Sequence, residues 1–277
     1  MRIFVAGASG VIGRRAIGLL VGQGHQVTGL TRRPDSLQEL GAHTAVADVY
    51  DAEALTSAVR AAQPDVVMHQ LTDLSGGSRA ANARIREVGT RNLVDAALAA
   101  GVRRVIAQSI AWAYEPGSTP ATEEVPLDLH SDSARLGTVS GVASLESTVQ
   151  EAPEWVVLRY GMLYGPSTWY TTGGLMAQPG LLSANADVTS FVHVDDAAAA
   201  AVAALEWPSG AVNICDDEPA TGYDWVPVFC QAVDVPEPSR SDSERTDWAR
   251  GADNQYARKH LNWTPQWPSW RDGFVNG

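Results

Sequence analysis

The chain has 277 residues, 45% of them hydrophobic, and a net charge of −12 at neutral pH. That is enough apolar material for one large core, or for an α/β domain with a smaller lobe. The acidic balance comes with no compensating basic face, which argues against nucleic acid or an anionic membrane as a partner. No apolar run approaches the ~20 residues that a bilayer span needs. A strand read from residue 2 leaves no room for a signal peptide. Two cysteines, Cys215 and Cys230, suit a reducing compartment, so a cytoplasmic location is expected. Neither the cysteines nor the six scattered histidines have metal-ligand spacing, and no metal is expected.

Taken in order, residues 2–6 read as a short buried strand that runs into Gly7-Ala8-Ser9-Gly10-Val11-Ile12-Gly13. Val11, Ile12, Ala16, Leu19 and Leu20 then follow at helical spacing. A glycine turn between strand and helix has two readings: a plain βα turn, or a cradle for a dinucleotide. In the second, Gly7 turns the chain, Gly10 lets backbone approach a pyrophosphate, and Gly13 lets the helix pack on the strand. The first N–H groups of the helix would be unpaired and point at the phosphates, with Ser9, Gly10, Val11 and Ile12 among the cofactor-binding candidates. The strand–turn–helix context favours the cradle.

Residues 26–30 read as the second strand, followed by Thr31-Arg32-Arg33. Two arginines where a ribose-binding acid would otherwise stand favour a 2′-phosphate, hence NADP over NAD. The plainer alternative is a solvated loop pair. Residues 44–47 read as the third strand, ending at Asp48-Val49, with Asp48 within reach of an adenine amino group. Asp51 reads as an N-cap. Residues 65–69 form a fourth strand, buried on both faces. Residues 79–100 read as one long helix carrying Ile85, Val88, Leu93, Val94 and Leu98 inward, and residues 104–109 as the fifth strand. Gly7, Arg32, Asp48, Leu71 and Ser109 would line one edge of a parallel sheet.

All nine tryptophans lie beyond residue 110. Residues 110–135 read as a loop, 154–159 as a sixth strand, 165–190 as irregular, 197–205 as a helix and 211–215 as a further strand. His193, Asp195 and Asp196 read as helix-start and lobe-fixing residues. The expected architecture is a Rossmann-type doubly wound parallel sheet over residues 1–160, to which strand 211–215 returns. A smaller, interleaved substrate-binding lobe covers residues 161–277.

The ordered pieces resemble an extended short-chain dehydrogenase/reductase of the NAD-dependent epimerase/dehydratase kind. They are Gly7–Gly13, Asp48-Val49, residues 65–69, Gly89-Thr90-Arg91-Asn92-Leu93, Arg159-Tyr160-Gly161, Tyr164-Gly165-Pro166, residues 191–196 and Leu261-Asn262-Trp263-Thr264-Pro265. The resemblance implies a nicotinamide cofactor, with Val49 and Gly161 among the residues around it. It also implies hydride transfer to or from a small molecule, and dimers through two long helices, here residues 79–100 and 136–150.

One part of the family pattern is absent. Its acid/base tyrosine and the lysine four residues later should fall near 136–150, where the closest alignment offers Ser140 and Ser144. Lys259 is the only lysine, and residue 255 is glutamine, so no Tyr-x-x-x-Lys exists. Arg86 stands where the family usually has asparagine. Ile110 stands at the usual strand-end serine or threonine, with Ser109 adjacent. Neither serine can replace a lysine-activated phenol as proton donor. Tyr114, Tyr160 and Tyr164 are the candidate donors, with Ser109 orienting the substrate; packing is the alternative role for each tyrosine. The expected activity is an NADP(H)-dependent reduction, needing little beyond hydride delivery, of a small aromatic or apolar metabolite. An epimerase or cyclase, and a silent NADP-binding sensor, remain as alternatives.

Overall fold

The computed structural model describes residues 1–32, 37, 39–74 and 78–277. In chain order its strands are β1 (Arg2–Ala6), β2 (Gln26–Thr31), β3 (His43–Val46), β4 (Val66–His69), β5 (Arg104–Ile110), β6 (Glu154–Tyr160), β7 (Met162–Tyr164), β8 (Val188–Thr189), β9 (Phe191–His193), β10 (Gly210–Ile214) and β11 (Ala220–Thr221). Seven of them form one sheet in the order β10-β6-β5-β4-β1-β2-β3. The pairs β1·β2, β2·β3, β1·β4 and β4·β5 are parallel. This is the Rossmann-like doubly wound α/β fold. The strand order reverses between β1 and β4, which is where such sheets bind ligands.

The chain divides into two compact units. One comprises Met1–Ser109, Leu129–Leu158 and Ala198–Ala211; the other comprises Ile110–Asp128, Arg159–Ala197 and Val212–Gly277. Residues 110–128, read from sequence as part of the first domain, therefore belong to the second unit.

In the first unit, Phe4, Val67, Leu93, Val105 and Val157 form one buried cluster. β4 is buried at every residue: its apolar Val66, Val67 and Met68 require it, and the polar His69 at its end is buried with them. Helix α1 (Val11–Gly22) follows the glycine turn, and α2 (Ala52–Ala62) starts as the sequence indicated: the Asp51 carboxylate accepts the Ala54 N–H at 3.0 Å. Such a cap stabilises by about 1 kcal/mol.

The helix expected over residues 79–100 is interrupted. It comprises α3 (Arg79–Arg84), a π-helical turn over Ile85–Gly89, and α4 (Thr90–Ala99). The π turn holds one residue more than an α turn, which advances the inward face by about 100°. Ile85, Arg86, Gly89, Leu93, Val94, Ala96 and Ala97 are buried as a result. Val88, expected inside, is instead 41% exposed. Helix α5 (Ser133–Val149) begins inside the stretch expected to be loop, because Asp132 caps it, accepting the N–H groups of Ala134 and Arg135.

The second unit is built on aromatic contacts. Tyr164, Phe191, Trp225, Phe229 and Trp270 share a buried cluster, with Phe191 and Trp225 edge-on at 5.2 Å between centroids. Helices α6 (Val194–Ala203), α7 (Gly222–Val233), α8 (Gln255–His260) and α9 (Trp270–Asn276) complete the chain. Asp196, at the start of α6, accepts the N–H groups of Gln266 and Trp267 at 2.7 and 3.0 Å and so fastens the C-terminal segment. Among the described residues no helix is long and apolar enough to cross a membrane.

Candidate functional site

The glycine turn opens the site. Gly7 has φ +86°, and a Cβ there would collide with the Gln70 carbonyl. The residue that leaves β1 thus lies directly against the residue that leaves β4. Gly13 is needed for closeness too, since a Cβ would strike the Gly7 carbonyl. Gly10 differs: it is exposed, and a Cβ would meet only the Gly7 carbonyl oxygen, at 3.2 Å. Space is therefore open in front of Gly10, at the start of α1. No side chain caps that helix and no acid sits in its first turn. Its first bond is Arg14 N–H to Gly10 C=O, which leaves the preceding N–H groups of Val11, Ile12 and Gly13 without an intrahelical acceptor. An uncapped helix start behind an open glycine suits a pyrophosphate.

The other residues expected around a cofactor fall as follows. Arg32 is exposed beyond β2, and Arg33 lies outside the described residues. The Asp48 carboxylate accepts the Tyr50 N–H at 2.9 Å. Val49 is buried, and its carbonyl accepts the Asn92 amide at 2.9 Å. Tyr50 stacks under the Arg84 guanidinium at 4.3 Å. The Leu71 N–H donates to His69 Nδ1 at 3.2 Å, and its carbonyl accepts the Gln108 amide at 2.8 Å. Gly161, in the second unit, has a packing reason for its lack of a side chain: a Cβ would lie 2.7 Å from the Ser190 carbonyl oxygen.

At the ends of β4 and β5 the first unit buries a set of polar side chains. Ser109 Oγ donates to Glu146 Oε1 at 2.7 Å, joining β5 to α5. His69 and Thr90 Oγ1 are 2.8 Å apart. Because His69 Nδ1 accepts from Leu71, its Nε2 carries the hydrogen and donates to Thr90. Burial first, then the nearby charge of Arg86, push the His69 pKa down to about 4, so the ring is neutral at pH 7. Arg86, on the π turn, is 4% exposed, and burial lowers its pKa to about 10 against the opposing pull of Glu146. Sequence reasoning noted Arg86 and Ser109 but missed Glu146, Gln70 and His69 as members of the set. The signal for His69 and Gln70 was their place at and just past the end of an apolar strand.

The three candidate tyrosines lie in the second unit and are all buried. Tyr114 donates to Asn213 Oδ1 and receives Arg159 Nη1 at 3.0 Å. Tyr160 donates to the Ala197 carbonyl at 3.2 Å. Among the described residues the Tyr164 hydroxyl has no hydrogen-bond partner, and burial drives its pKa far above the ordinary phenol value. Ser140 and Ser144 lie on α5 in the first unit.

Comparison with known proteins gives a consistent result. A 3-diazoavenalumate denitrifying reductase from Streptomyces sp is 42% identical over 99% of both chains. A ceramide reductase from Caulobacter vibrioides is 26% identical over 84% of this chain and 70% of its own. Among solved structures, the Bordetella bronchiseptica enzyme WbmG, in complex with NAD and UDP, superposes with TM-score 0.79 at 21% identity, covering 99% of this chain and 92% of that one. The UDP-Glc/GlcNAc 4-epimerase of Campylobacter jejuni superposes with TM-score 0.80 at 17% identity, covering 99% and 96%. These two likenesses establish the fold. Residues 3–215 match the family description itself, and the chain belongs to the NAD dependent epimerase/dehydratase family.

Proposed function

We propose that this protein is an NADPH-dependent reductase that replaces the diazonium group of an aromatic acid with hydrogen and releases N2. One observation carries the reading: the glycine turn is intact, yet the Tyr-x-x-x-Lys pair is missing. Carbonyl reduction needs both a hydride and a proton donor. Hydride addition to a diazonium carbon needs only the first. The C–N bond breaks with its electron pair leaving in N2, a C–H bond forms, and the positive charge is cancelled. The full-length likeness to a denitrifying reductase of a diazo acid supports the same choice.

A bound reduced nicotinamide would supply the hydride. Gly7, Ser9, Gly10, Val11 and Ile12 would hold its pyrophosphate. Arg32 and Arg33 would take the 2′-phosphate, with Asp48, Val49 and Leu71 along the same edge. Ser109 and Glu146 would fix the end of β5. The burial of Tyr114, Tyr160 and Tyr164, and the bonded hydroxyls of the first two, favour packing over proton donation.

The test uses 4-carboxybenzenediazonium with NADPH deuterated at the transferable C4 position. The expected products are N2 and benzoate carrying the label, with one NADPH consumed per N2. Consumption of NADPH without N2 would overturn the reading, as would label drawn from D2O.

A further inference from the structure

We propose that Arg86 and the Gln70 side chain form a buried anion site that takes the carboxylate of the substrate; the word substrate here rests on the reading above. Arg86 is 96% buried by its 4% exposure, and its Nε has no hydrogen-bond partner. Among the described residues nothing hydrogen-bonds or ion-pairs with its guanidinium. Glu146 acts on it only through space, and one of that carboxylate's oxygens is occupied by Ser109. Gln70, 6% exposed, likewise has neither its Nε2 nor its Oε1 satisfied among the described residues. Buried polar groups are almost always paired, and a buried guanidinium with unused donors is costly. Two such side chains in one unit, on the segments that follow the switch point of the sheet, mark groups waiting for a ligand.

The chemistry selects the ligand. A guanidinium fork matches a carboxylate in bidentate fashion, and a glutamine N–H adds a further donor. The neighbouring groups do not compete. His69 is neutral and already bonded to Thr90 and Leu71, and Gln108 is satisfied by the Leu71 carbonyl. The backbone points the same way. A π turn is a rare local distortion, often found at functional sites, and here it carries Arg86 on its buried side.

The test titrates the full-length protein, saturated with NADPH, by calorimetry with trans-cinnamate and with the uncharged trans-cinnamamide. Both are flat, and neither has a diazo group. Wild type should bind cinnamate at least tenfold more tightly than the amide. In Arg86→Met that preference should vanish while Tm holds or rises, because a buried cation has been removed. Arg86→Lys should retain part of the preference. Equal binding of acid and amide by wild type overturns the proposal, and so does a preference that survives in Arg86→Met. A fall in Tm or loss of folding in Arg86→Met would show that the guanidinium is structural and would also overturn it. Failure of the diazonium chemistry alone would appear as absent N2 release with the acid–amide preference intact.

Discussion

Ser109 and Glu146 meet at 2.7 Å inside the protein, each almost wholly shielded from water, at 1% and 3% exposure. The bond ties the end of a sheet strand to the helix that would carry the family's catalytic pair. Ser109→Ala removes a donor from a buried carboxyl group, and the expected cost is about 1–3 kcal/mol. Urea denaturation measures it. Glu146→Gln keeps an acceptor for the serine and should cost less; equal losses would show that the hydrogen bond is not what stabilises the pair.

The three glycines of the opening turn should separate folding from binding. Gly7→Ala places a side chain at positive φ and against the Gln70 carbonyl, so the protein should be strongly destabilised or fail to fold. Gly10→Val meets only the Gly7 carbonyl oxygen, at 3.2 Å, so the protein should still fold, with its circular dichroism unchanged and Tm lowered only modestly. NADPH binding by fluorescence titration should be lost in that variant. Retained binding would remove the pyrophosphate from this position.

Cofactor choice should reside in the two arginines after β2. Calorimetry should give tighter binding of NADP than NAD. The double variant Arg32→Ala/Arg33→Ala should lose about tenfold or more for NADP and little for NAD, as expected when charge-assisted bonds to a phosphate are removed. Equal affinities unaffected by the double variant would sink the assignment.

His69 makes stability depend on pH. Its pKa is near 6.5 unfolded and about 4 folded, lowered by burial. The unfolded chain therefore binds the proton first. The stabilisation is complete above pH 6.5 and is lost as pH falls toward 4, by about 3 kcal/mol in all. Subtracting the acid limb of a His69→Gln variant from that of wild type isolates this contribution. Parallel limbs would mean that the ring is not held neutral.

Tyr114 decides between packing and proton donation. Its hydroxyl donates to Asn213 and receives Arg159, so Tyr114→Phe strands two buried partners. The expected loss is about 2–3 kcal/mol of stability. With the diazonium substrate, kcat/KM should change less than tenfold. A hundredfold fall with stability intact would restore the phenol as acid.

The strand–glycine–helix opening was readable because each part has its own local cause: the apolar run Ile3–Ala6, a required positive φ at Gly7, and a helical period from Val11 onward. The Asp51 cap was readable for the same reason. The interruption at Ile85–Gly89 was not, because an inserted residue leaves no mark in a periodic pattern until the phase fails, and Val88 was placed inside in consequence. Glu146 escaped notice because a lone acid on a helix ordinarily faces water, and only the fold brings Ser109 to it. Helix α7 was hidden by Pro227, which sits inside it. The buried polar set depends on strand ends distant in sequence, and no spacing rule joins them.

The π turn also makes chain length a determinant of chemistry. Leu93, Val94, Ala96 and Ala97 anchor α4 in the core. Deleting one residue between 85 and 89 would let the helix run regularly and would rotate the preceding segment by about 100° relative to that anchor. Arg86 would swing out of the interior although its own side chain is unchanged. A gain or loss of one codon there would do by geometry what the exchange Arg86→Met does by chemistry: it would separate a chain that buries this cation from one that does not.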